Sequence, residues 1–166
     1  MPIKATRGVI FVHSCTPALC PHVEWAVENV LKSPVSFEWT EQPAQPGTYR
    51  AEAPWIGSVG TGAEIASTLR GWEHLRYEVT EDAAPGTNGG RWSHTPDLGI
   101  FHAQTDALGS VVVNEERVRA ALEFVDDPLK MRRILDLALG TAWDEELEPF
   151  RYAGAEAPIR YLHRVG

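Results

Sequence analysis

Two cysteines and two histidines crowd one short stretch, HSCTPALCPH over residues 13–22. Thiolates and imidazoles hold soft metal ions, and they serve as nucleophile and base. His13, Cys15, Cys20 and His22 therefore raise the first chemical question of this chain. Structural zinc sites want four such ligands, usually as two close-spaced pairs. Here Cys15 and Cys20 form a single C-x4-C pair, and His94 and His102 lie far along the chain. The expectation is no metal and no cofactor, with a metal site through Cys20 and the histidines as an alternative.

A reactive thiol is the other option. Pro21 suits the first helical position, which makes Cys20 the expected N-cap, where free N–H groups and the helix dipole favour a thiolate. His22 would add a nearby cation, and His13 or His102 a base. Cysteine is, however, among the most often buried residue types, and no motif supplies the base and oxyanion pocket a nucleophile needs. A strand-to-helix corner is the preferred reading. No catalytic residue is assigned, and Cys20, His22, His13 and His102 stay as the enzymatic alternative. The glycines of GSVGTGAE (57–64) suggest a phosphate loop, but Thr61 and Glu64 read as a capping box that would use those N–H groups.

These residues need elements to hold them. RGVIFVH (7–13) is apolar on both faces, as a central strand is. Val23, Ala26, Val27, Val30 and Leu31 then mark one stripe of a helix over 21–31. SPVSFEWTE and TYRAEAPW alternate around a turn-rich QPAQPG, predicting a hairpin in which Pro54 ends the second strand or lies on an edge. A helix from Thr61 to Gly71 and a strand HLRYEVT, with Leu75, Tyr77 and Val79 inward, complete residues 1–83. That order predicts an α+β fold whose first half is a ferredoxin-like split βαβ antiparallel sheet.

Residues 91–147 extend the sheet by a meander and add two C-terminal helices. Asn114 opens the first, with Val118, Ala121, Leu122 and Val125 inward. Asp127 and Pro128 open the second, whose buried stripe is Met131, Ile134, Leu135 and Ala138. The acids of WDEELEP read as a solvated face, or as partners for a basic group such as the tail. The tail, 148–166, interleaves Arg151, Arg160 and Arg164 with Tyr152 and Tyr161. Docking on its own body is favoured over a ligand role.

At 166 residues the chain reads as one domain, and its net charge of −8 argues against nucleic acid and anionic membranes. No signal peptide or spanning segment is present, so the cytoplasm is the expected compartment. With no reaction centre, the expected role is binding or regulation through a protein partner or a small metabolite. The residues proposed for binding are Trp25, His22, Arg151, Tyr152, Arg160 and Tyr161. A homodimer is compatible with everything above.

The segments LCPHVEWA, QPGTYRAE, LRGWEHLRYEVTED, TPDLGIFHA and AWDEELEPFRYAG together resemble an actinobacterial family defined only as a domain of unknown function. The resemblance runs over nearly the whole chain and centres on Leu19, Cys20, Pro21 and His22, with Cys15 outside it. It implies no activity or cofactor. The family's association with genes of fatty-acid synthesis and pyruvate oxidation implies a link to lipid or central carbon metabolism.

Overall fold

The computed structural model describes residues 3–152. Its elements run β1 (Ala5–Cys15), α1 (Cys20–Leu31), β2 (Thr40–Glu41), β3 (Tyr49–Ser58), α2 (Thr61–Leu69) and β4 (Arg76–Glu81). There follow β5 (Gly89–Thr95), β6 (Gly99–Thr105), β7 (Val111–Val112), α3 (Glu115–Leu122), α4 (Pro128–Leu139) and α5 (Thr141–Tyr152). The strands form a seven-stranded sheet in the order β2-β3-β1-β4-β5-β6-β7, antiparallel throughout. The molecule is a mixed α+β fold.

Strand β1 sits inside the sheet, and both of its faces are covered. Ile10 and Val12 face α1 and α2, where they join Val23, Val27, Ile65, Leu69, Tyr77 and Val79 in the main core. Phe11 and His13 point to the other face and are equally buried. Burying one such aliphatic side chain stabilises by about 1.5–3 kcal/mol, so two covered faces explain the unbroken apolar run of this strand.

Several expectations need correction. SPVSFEWTE does not form a strand along its length; only Thr40 and Glu41 pair with β3. The backbone N–H of Val35 donates to Glu28 Oε1 at 3.2 Å and Trp39 Nε1 to Glu24 Oε1 at 2.6 Å, so the segment is tied to α1. Because β2 is so short, Pro54 has no partner strand on its outer side, and its missing N–H costs no ladder bond. The N-cap of α1 is Leu19, not Cys20, which is already the first helical residue.

The capping box at α2 does not form either. Gly60, at φ 99°, is the N-cap, and no side chain of the helix caps it. Glu81 of β4 does the work: its Oε1 accepts from the N–H of Gly62 at 2.8 Å, and its carboxylate also accepts from Gly60. The helix terminus that resembled a phosphate loop is thus filled by the protein's own anion.

The last helices differ as well. The side chains of Asn114 and Asp127 cap α3 and α4 as expected, and Gly140 ends α4 at φ 72°. The apolar stripe of α3 is not buried: Val118, Leu122 and Val125 are exposed, and within α3 and α4 only Ala121 and Ala138 are buried. Residues 141–152 form a third C-terminal helix, α5, which continues through Pro149 and takes in the start of the expected tail. Helix α5 lies on the sheet face opposite α1 and α2, with Leu147 fully buried and Trp143 Nε1 donating to the carbonyl of Gly99 at 3.0 Å.

Candidate functional site

The candidate thiols come first. A bulge follows Val12, where the pairing of β1 with both neighbours shifts register. In a regular strand His13 and Cys15 would share a face. The bulge instead turns Cys15 into the core beneath α1 and leaves His13 on the α5 side. Cys15 and Cys20 are both free and buried, and each Sγ donates to the carbonyl of Thr16 at 3.4 Å. Burial pushes both thiols up from their ordinary value, which disfavours the thiolate. The dipole at the start of α1 does not overcome it.

The histidines do not join them. His22 is exposed on α1, and so is Trp25 one turn later. His102 stacks on Trp92 at a centroid distance of 4.8 Å on β6. That strand is three strands from β1, roughly 14 Å away. His94 is buried, stacked on Tyr77 at 5.1 Å, with Nδ1 2.7 Å from the carbonyl of Leu75; burial lowers its pKa against that bond. Among the described residues no group of three or more metal-ligating side chains converges.

A different constellation assembles between the sheet and α5. Glu78 of β4 is fully buried, and His13 Nε2 lies 2.7 Å from its Oε2. Ser93 Oγ donates to Oε1 at 3.1 Å. Arg151 of α5 grips the same carboxylate with two nitrogens, its Nε 3.0 Å from Oε2. Arg151 also reaches Asp144 Oδ1 at 2.9 Å, and Arg91 stands 3.9 Å from Oδ2 of that residue. Burial pushes the Glu78 carboxyl up, but the hydrogen bonds from His13 and Arg151 outweigh it and hold it at about 2. Every oxygen of Glu78 is engaged, which marks a structural clamp, not a general base.

Arg76 connects this clamp to an open cleft. Its Nη1 donates to Gln45 Oε1 at 3.0 Å and to Ser14 Oγ at 3.4 Å. Its guanidinium sits 4.5 Å from the centroid of the Phe150 ring. Its Nε lies 3.5 Å from Glu146 Oε1, yet neither buried atom has a hydrogen-bond partner. The cleft beside it has a volume of about 340 Å³ and is walled by Ser14, Thr16, Gln45, Thr48, His74 and Arg76 among others. It opens at the corner between β1 and α1, directly over the stretch that holds the two thiols. A wider trough of about 530 Å³ between α1 and α2 is open to solvent along its length.

The sequence-proposed binding residues therefore scatter. Trp25 and His22 are on the outer flank of α1, Arg151 is consumed by the clamp, and Tyr152 ends α5, partly exposed. Arg160 and Tyr161 lie outside the described residues. Glu78, Arg76, Ser14 and Thr48 carry no local signal of a site, because strand alternation sends Glu78 away from Leu75, Tyr77 and Val79 to the face that α5 covers. The signal was β1 itself: a strand apolar on both faces requires a cover on each.

No helix among the described residues is long and apolar enough to cross a membrane. No curated protein and no solved structure matches the chain. Residues 9–164 do match a family described as "Protein of unknown function (DUF3145)", nearly the whole chain, and the protein belongs to that family.

Proposed function

We propose that this protein is a non-catalytic binding domain that takes a small anionic metabolite in the cleft at the β1–α1 corner. The observation that carries this reading is Arg76, which walls the cleft with Nη1 held by Ser14 and Gln45 while its Nε faces Glu146 at 3.5 Å. A guanidinium fork beside hydroxyl groups is the chemistry that recognises a carboxylate or phosphate oxygen. The volume falls in the range of small-ligand pockets. The buried acids and thiols nearby are engaged or held in their neutral form, so the site supports recognition and regulation over catalysis. The order β2-β3-β1-β4 supports a ferredoxin-like reading of the first half. The cytoplasm is the proposed compartment, and the resemblance to an actinobacterial family tied to lipid and central carbon metabolism makes short carboxylic acids the first ligands to try.

Thermal unfolding with a panel of small carboxylates and phosphate esters tests the proposal. A ligand at 100 times its dissociation constant adds about 2.7 kcal/mol, which raises the midpoint by roughly 5–10 °C for a chain of this size. Thr16→Trp at the cleft rim abolishes the shift. A panel without any shift, or an equal shift in Thr16→Trp, defeats the proposal.

The exposed flank of Trp25 and His22 supports a second reading, a protein partner recognised on α1. A Trp25→Ala, His22→Ala chain that captures the same proteins from a native lysate as the wild type removes it.

A further inference from the structure

Cys15 and Cys20 bracket a closed turn. The N–H of Leu19 donates to the carbonyl of Thr16 at 3.0 Å, so residues 16–19 fold back as one β-turn whose ends lie less than about 7 Å apart. Cys15 ends β1 just before that turn, and Cys20 begins α1 just after it. Both sulfurs donate to one acceptor, the carbonyl of Thr16, at 3.4 Å each. Each thiol is also a hydrogen-bonding neighbour of the other. Without the bulge after Val12, Cys15 would face the α5 side of the sheet and the pair could not meet.

We propose that Cys15 and Cys20 are a redox modification site, a dithiol that a small hydroperoxide converts reversibly into an intramolecular disulfide. Cys20 reacts first, since it is the less buried of the two and stands at the positive end of α1. Its thiolate attacks one peroxide oxygen, the O–O bond breaks, and the departing hydroxide takes the proton that Cys20 released. The product is a sulfenic acid and one water. Cys15 sulfur then attacks Cys20 sulfur, the S–O bond breaks, and the hydroxide leaves as a second water with the Cys15 proton. Two electrons pass from the sulfurs to the peroxide. A second thiol already in contact intercepts the sulfenic acid before it can be oxidised further. Burial keeps both groups as thiols, so ionisation does not stabilise the reduced state against the bridge. The same scarcity of thiolate makes the first step slow near neutral pH. In a compartment that keeps thiols reduced, such a pair is a reversible switch and not a structural staple. Thr16 and Leu19, inside the bridged loop, also wall the cleft, so on the binding reading above the switch would fix one side of the ligand site.

Hydrogen peroxide added to the folded full chain, followed by thiol blocking, trypsin and mass spectrometry, is the test. It needs no ligand, so its outcome is separate from that of the cleft. Cleavage after Arg7 and Lys32 leaves both cysteines in one peptide, residues 8–32, which contains no methionine. The treated peptide is lighter by two hydrogens than the untreated dithiol, and dithiothreitol restores the original mass. Bridge formation speeds up about tenfold from pH 7 to pH 8, as the thiolate fraction does below its pKa. Cys15→Ser forms no bridge and instead holds a sulfenic acid on Cys20 that dimedone traps. Both thiols still free, after a treatment that bridges the urea-unfolded chain, overturn the proposal. So does a wild-type Cys20 that ends as sulfinic acid, or a bridge that joins two chains.

Discussion

Arg151 Nε donates to Glu78 Oε2 at 3.0 Å across 73 residues of chain, and this pair fastens α5 to the middle of the sheet. His13 and Ser93 complete the carboxylate's hydrogen bonds from the strands on either side. A buried ion pair is a weak source of net stability, because desolvation offsets attraction. Breaking it is another matter. Arg151→Ala leaves the buried Glu78 carboxylate without its guanidinium partner, and unfolding in urea should show a loss of about 3–5 kcal/mol. A loss below 1 kcal/mol would mean that water reaches the pair.

The same carboxylate makes stability depend on acid. Its pKa is about 2 in the folded protein against 4.5 ordinarily, so between these values the unfolded chain binds more protons. The contribution is complete above pH ~4.5 and is lost as pH falls through that window toward 2. It amounts to something on the order of 3 kcal/mol for this fully buried group. Urea midpoints measured from pH 6 to pH 2.5 should fall, and Glu78→Gln should flatten that part of the profile.

At the N-terminus of α2 the relevant anion is Glu81. Glu81→Ala removes the acceptor for the N–H groups of Gly60 and Gly62 and should cost about 1–2 kcal/mol, similar to the loss of a strong N-cap. Gly62→Ala should also destabilise, because its Cβ would come within 2.8 Å of the Trp92 ring. Thr61→Ala, by contrast, should be mild if Glu81 is the true cap. Guanidinium denaturation of the three variants separates these cases.

Cys15 and Cys20 should alkylate slowly in the folded protein. Both are buried and their thiols are pushed above the ordinary value, so the reactive thiolate is scarce near neutral pH. Mass spectrometry of iodoacetamide-treated protein should show labelling that follows unfolding. Rapid labelling of Cys20 at pH 7 in the native state would reopen the enzymatic alternative.

Local signals in the chain read truly where they were local. The caps at Asn114 and Asp127, the stop at Gly140 and the alternation of HLRYEVT each depend on a few neighbouring residues, and each is present. Cys20 as N-cap is a local miss by one residue, and the other failures depended on distant partners. Thr61 and Glu64 look like a capping box until Glu81, on another strand, takes the N–H groups first. His13 and Cys15 look like one site until a bulge separates them. Glu78 looks solvent-facing until α5 covers its side of the sheet. No periodicity in 75–81 carries that information, because it belongs to the helix that begins 60 residues later.

The cleft over the β1–α1 corner bears the functional account, and an NMR titration of amide-labelled protein probes it directly. With inorganic phosphate and short-chain carboxylates as the added ligands, the predicted shifts cluster at Ser14, Thr16, Thr48, His74 and Arg76 and saturate together. A saturating titration that leaves those amides still, or that moves only the α1–α2 trough at Asn29 and Ser67, would contradict it.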